Sequence, residues 1–156
     1  MNDVQFPTSA AMPIEEFLFV PDEILAIYQE AVDTISVSPR ASALLSRCCA
    51  EVVLARMGYK GNLLNAVTAA SVETKPYKAL SATLRQTLLV LRYIGNAAAH
   101  PHSGGPSEIE FEDAEWCLEI VGKLFREYYE EPEFAQMKIS RYTGQLFAAG
   151  IKKLPV

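Results

Sequence analysis

A chain of 156 residues, 50% hydrophobic and 21% charged, suffices for one packed domain and is too apolar for wholesale disorder. Its net charge of −5 excludes a generally basic nucleic-acid binder without speaking to a local site, and runs such as Leu88-Leu89-Val90-Leu91 are too short to span a bilayer. No basic region followed by an apolar stretch opens the chain, and the three cysteines lack CxxC spacing, so we expect a cytoplasmic, reducing setting with no secretory signal.

Residues 1–21 read as an extended N-terminal arm broken by Pro7, Pro13 and Pro21, with Phe6, Phe17, Leu18 and Phe19 available to pin it to the core. A first helix is predicted from Asp22 to Ser36, with Ile24, Ile27, Tyr28, Ala31 and Ile35 at helical spacing. A second starts at Ser38-Pro39, where serine caps free amides and proline tolerates the first helical position. It stops at Gly58, a residue that accepts the left-handed conformation of helix ends. A short helix is predicted around Asn62–Ala70, then a connector at Lys75-Pro76-Tyr77 and a third long helix from Leu80 to Ala99.

Ser107-Glu108-Ile109-Glu110 matches a capping box that would open a fourth helix, Glu108 to Glu130, ended by Pro132. Its stripe is Phe111, Ala114, Leu118, Val121, Phe125 and Tyr128. The remainder, 133–156, is a tail with room for a short helix at Phe134–Ser140. No strand-length alternation occurs, so the expected fold is an all-α antiparallel bundle with four main helices over 22–132.

The charge is unevenly distributed. Residues 74–107 carry Lys75, Lys78, Arg85, Arg92 and both histidines with no acid, whereas 108–133 carry ten acids against Lys123 and Arg126. Residues 134–156 are again basic, with Lys138, Arg141, Lys152 and Lys153. The first block fits an anion site in which Arg85, Arg92 and His102 would contribute. It equally fits oppositely charged segments packing beside each other or across a dimer.

The stretch from Leu91 to Pro101 holds the candidate chemistry. At ~100° per residue, Arg85, Arg92, Asn96 and His100 fall within about 80° of one another, opposite Leu80, Leu84, Leu88, Leu91 and Ala98. That polar face is expected to be free for solvent, a substrate or a partner, and Leu89 on it hints at another chain. Pro101 disfavours helix at His100, so the imidazole should project from the helix end, where the dipole favours its protonated form. Gly95 costs ~1 kcal/mol against alanine inside a helix, so close approach of another backbone is expected there. The segment Pro101-His102-Ser103-Gly104-Gly105-Pro106 reads as a surface loop beside the site. Each residue also has an ordinary role open to it: Asn96 bonding a backbone, His100 capping a helix, Arg92 pairing with an acid of the fourth helix.

Metal catalysis is not expected, because His100-Pro101-His102 is the only histidine pair and no neighbouring ligand completes a set. No cofactor motif and no GxSxG elbow occur. Cys48 and Cys49 read as core residues, and Trp116 as packing.

Taken together, Tyr28-Gln29-Glu30-Ala31, the run Arg40 to Arg47 with Glu51, the string Leu91-Arg92-x-x-Gly95-Asn96-x-x-Ala99-His100 and the end Tyr128-Tyr129-Glu130-Glu131-Pro132 resemble a known helical family. It is domain of unknown function 4145, related to the HEPN superfamily (higher eukaryotes and prokaryotes nucleotide-binding). The resemblance implies an antiparallel bundle, usually a homodimer, found in prokaryotic defence loci. Active relatives are metal-independent ribonucleases that bring an arginine and a histidine from each chain into one cleft. Carried over, Arg92 would hold the scissile phosphate, His100 would move the proton and Asn96 would orient one of them. This sequence departs from the pattern. Seven residues separate Arg92 from His100, and Tyr93 stands where a polar residue is usual. Two helical turns, ~12 Å, then lie between the two groups. The expectation is therefore a HEPN-like dimer serving as an interaction or nucleic-acid-associated module with a protein partner. The alternatives are a ribonuclease acting across a dimer cleft and a sensor of RNA or nucleotide phosphate.

Overall fold

The three long helices expected before residue 100 are all present, and local signals mark where each begins. The computed structural model describes residues 11–59, 61–62, 65–68, 80–101 and 108–150. Helix α1 spans Asp22–Thr34, and its first turn closes on the Pro21 carbonyl, which accepts from the amides of Ile24 and Leu25. Helix α2 spans Pro39–Arg56; Ser38 Oγ accepts the Ala41 amide at 3.2 Å, and Gly58 lies at φ 97° just past the end. Helix α3 spans Ala82–Ala99, capped by Ser81 Oγ on the Leu84 amide. It ends where Pro101 pushes His100 out of helical geometry, to φ −132° and ψ 81°. Helix α4 spans Phe111–Phe125.

Among the described residues every regular element is helical, so the chain is an all-α bundle. Helix α1 packs on α2, α2 on α3 and α4, and α4 closes the ring against α1 and α3. The core is filled by the predicted apolar faces of α1, α3 and α4, including Ile24, Tyr28, Leu88, Leu91, Leu118 and Phe125, whereas α2 buries Ala43, Cys49, Val53 and Leu54 in place of the Leu44, Leu45, Cys48, Val52 and Ala55 expected from their spacing, because its packing on three neighbours turns the next face inward. Ser42 and Ser46 are also buried there. Ser42 donates to the Ala31 carbonyl at 2.7 Å and Ser46 to the Ser42 carbonyl at 2.9 Å, so neither hydroxyl is left without a bond.

The arm is pinned by Phe17 and Val20. The Phe17 ring sits edge-on to Phe125 at 5.1 Å and to Tyr28 at 5.7 Å between centroids. Tyr28 Oη donates to the Met12 carbonyl at 3.0 Å, and burial pushes its phenol up to about 12. Leu18, expected to help, points outward instead, and Phe19 is half-buried. Phe6 lies outside the described residues. So do 63–64 and 69–70 of the predicted helix at Asn62–Ala70, of which 65–68 is helical, and the Lys75-Pro76-Tyr77 connector.

Two expectations about the fourth helix are corrected. Ser107 lies outside the described residues, and the capping box is formed by Glu110 and Asp113, with the helix beginning at Phe111. Nor does Pro132 end the rod. The chain passes through a π-helical turn, Arg126–Glu130, directly into helix α5, Glu131–Ala148. A proline inside a helix lacks one amide donor and crowds the carbonyl a turn earlier. Here the wider π turn precedes it, and Pro132 occupies the first turn of α5, where its missing donor is tolerated. The short helix expected at Phe134–Ser140 is thus an 18-residue extension of α4.

Cys48 corrects a further expectation. Cys49 and Cys117 are buried, and burial holds their thiols up at about 12, but Cys48 is exposed on α2. A disulfide-exchange reagent at neutral pH should therefore modify one thiol of the native protein, lost in Cys48→Ser. The other two should react only after unfolding, and mass spectrometry reads the count.

Candidate functional site

The candidate residues sit on the last turns of α3, where it lies against α2. The structural reason is Gly95. A Cβ on that residue would stand 2.7 Å from Arg47 Cδ and 2.8 Å from Arg47 Cβ, so only glycine lets the two helices approach this closely. The expected close neighbour is thus present, but it is the aliphatic stem of an arginine rather than a bare backbone. Having crossed Gly95, the Arg47 guanidinium donates from Nη1 to Asn96 Oδ1 at 2.7 Å and from Nε to Glu51 Oε1 at 3.0 Å. Glu51, Arg47 and Asn96 form one partly buried chain of charge-assisted bonds joining α2 to α3.

This placement divides the predicted site. Asn96, expected on an open polar face, is half-buried, and its amide oxygen is engaged by Arg47. Arg92, one turn earlier, is half-buried and makes no hydrogen bond or ion pair among the described residues. The exposed Tyr93 and Leu89 share its helix. His100 is exposed at the helix end, its amide bonded to the Asn96 carbonyl at 2.8 Å. Arg85 folds back on its own helix start, donating from Nη1 to the Leu80 carbonyl. His102 lies outside the described residues. The structure therefore brings Asn96 together with Arg47 and Glu51, and gives Arg85 a local task.

Arg47 is the residue that sequence reasoning undervalued. It stands with Glu51 at the i,i+4 spacing of an ordinary surface pair, and only Gly95 beside Asn96 signals that something crosses there.

Among the described residues, two surface clefts run along α4 and the π turn. One lies between Met12, Tyr28 and Leu118, the next between Ser81, Thr87 and Glu127, and Lys123 and Arg126 line both. Glu127 ties α3 to the π turn by accepting the Ser81 amide at 2.5 Å and the Ser81 hydroxyl at 2.9 Å. Beside it, Glu130 is buried: Oε1 accepts the Phe19 amide at 2.8 Å, and Oε2 has no hydrogen-bond partner among the described residues. No group of three metal-capable side chains and no helix long and apolar enough to cross a membrane occur among the described residues.

No curated protein and no solved structure shows significant similarity to the chain. Residues 29–143, from the middle of α1 to near the end of α5, match the family described as Domain of unknown function (DUF4145). That span takes in the Arg47–Glu51–Asn96 clasp, the π turn and most of α5, and the chain belongs to the DUF4145 family.

Proposed function

We propose that this chain is a HEPN-like helical module that binds a partner in a prokaryotic defence-type system, as a homodimer and without turnover of its own. The observation that supports this reading is the Arg47–Asn96 bond. An asparagine whose oxygen already accepts a charged donor at 2.7 Å, over a glycine packed shut by the same side chain, joins helices rather than handling a phosphate. Arg92 and His100 stand ~12 Å apart along the α3 axis, two full turns, so the pair is more widely spaced than in active relatives.

The ribonuclease alternative retains one favourable observation. Arg92 has its fork of donors unengaged among the described residues, near the exposed Tyr93. Incubation with several structured and unstructured RNAs in EDTA separates the two readings. We expect intact RNA with the purified protein at high concentration. Cleavage that disappears in both Arg92→Ala and His100→Ala, with helical content unchanged, would establish the nuclease instead.

A further inference from the structure

Helix α5 continues the rod of α4 and leaves the bundle. Among the described residues its only helical neighbour is the π turn, Arg126–Glu130, and no hydrogen bond or ion pair joins it to the bundle helices. The direction of α5 is therefore set at that turn. Kinks in long helices concentrate at π turns, where the regular ladder of bonds is interrupted.

The N-terminal arm crosses the rod here and touches it on both sides of the turn. Phe17 packs edge-on against Phe125, the last residue of α4, at 5.1 Å between centroids. Two residues on, the Phe19 amide donates to Glu130 Oε1, inside the turn, at 2.8 Å. The Phe19 ring meets Phe134, in the first turn of α5, at 5.3 Å. One short stretch of arm thus grips the rod before, within and after its soft point.

We infer that Phe17 to Val20 form a splint across a hinge at the π turn: while the arm is seated α5 holds one direction, and lifting the arm frees α5 to swing. The latch of this splint is under-satisfied. Glu130 is 3% exposed, and its Oε2 has no partner among the described residues. One charge-assisted bond returns less than the burial of a carboxylate costs. Lifting the arm returns both oxygens to water, which offsets part of the apolar burial that Phe17 and Phe19 lose. The seated and lifted states therefore lie closer in free energy than a fully paired latch would leave them. Any molecule that takes up the arm would redirect α5. The splint needs neither a second copy nor a partner, so its failure would leave the function proposed above untouched.

Double electron–electron resonance on the full chain tests it, with labelled protein diluted into unlabelled so that pairs between chains add nothing. The labels go on Val37→Cys, between α1 and α2, and Gln145→Cys, on α5, in a Cys48→Ser background; both positions are exposed. We expect one narrow distance distribution for the parent and one about twice as wide for Phe19→Ala. Phe134→Ala removes the same ring contact from an exposed position and should widen the distribution likewise, which keeps the test open if Phe19→Ala fails to fold. Leu18→Ala, on the exposed neighbour within the arm, should leave the width unchanged. Hydrogen exchange reads the latch. Glu130→Gln keeps the acceptor and removes the charge, so the Phe19 amide should exchange about tenfold more slowly than in the parent. A parent distribution that is already broad, one that neither phenylalanine substitution widens, or one that Leu18→Ala widens equally would overturn the splint. Exchange in Glu130→Gln as fast as in the parent, or faster, would overturn the under-satisfied latch.

Discussion

Gly95→Ala should lose about 1–2 kcal/mol of stability, although alanine is the better helix former by ~1 kcal/mol. The added methyl would lie 2.7 Å from Arg47 Cδ and 2.8 Å from Arg47 Cβ, inside any real carbon contact. Cδ can move, but Cβ is attached to the α2 backbone, so relief requires the helices themselves to separate. Two consequences distinguish this from a loss of hydrogen bonding. Gly95→Leu should cost more than about 3 kcal/mol, because the larger side chain finds no space between α2 and α3. Arg47→Ala should rescue Gly95→Ala only in part, since the offending Cβ remains. Urea unfolding followed by helical circular dichroism gives all four values of the cycle. A Gly95→Ala protein as stable as its parent would show that the helices are not in this close contact.

Phe125→Ala should be the most damaging truncation, at about 3–5 kcal/mol, a large share of the 5–15 kcal/mol typical of a domain. Phe125 is fully buried where α4 meets α1 and the arm. It makes edge contacts to Phe17, Tyr28 and Tyr129 at 5.1, 5.4 and 6.5 Å between centroids. Removing it opens a cavity and takes away the seat of Phe17. The midpoint of thermal unfolding should fall by about 6–20 °C, and limited proteolysis should cut near Pro13–Val20 well before the bundle unfolds. Phe17→Ala should reproduce the early cleavage with a smaller loss of stability. If Phe125→Ala unfolds at the parental temperature, the aromatic cluster does not hold the arm.

The helices α1 to α3 were legible because their signals are local. Pro21, Ser38-Pro39, Gly58 and Pro101 act through the amides and dihedral angles of their immediate neighbours, and each sets a boundary where it was expected. The apolar stripes of α1, α3 and α4 were legible for the same reason, since a period of ~3.6 residues needs no knowledge of the partner helix; that of α2 was not, because it buries small residues and serines on the face beside its Leu44, Leu45 and Val52.

The errors share another origin. Pro132 reads as a stop because a proline cannot continue an α-helical bond pattern. A π turn changes that pattern over five residues, and no short-range rule for Pro132 anticipates it. Cys48 and Cys49 are adjacent, yet one faces the core and the other solvent. That choice depends on how α2 is rotated against three neighbours.

For the candidate site the division is sharper. Residue types alone placed Arg92, Asn96 and His100 along one stripe of one helix and marked Gly95 as a point of close approach. What approaches it is 49 positions away from Asn96 in the chain, so only the packing of α2 on α3 could name Arg47 and convert Asn96 from an open polar group into half of a clasp. Periodicity and caps determined the helices because they act within a turn or two. The tertiary structure decided which polar side chains were already engaged, because a hydrogen bond between distant residues exists only once the helices that carry them are packed.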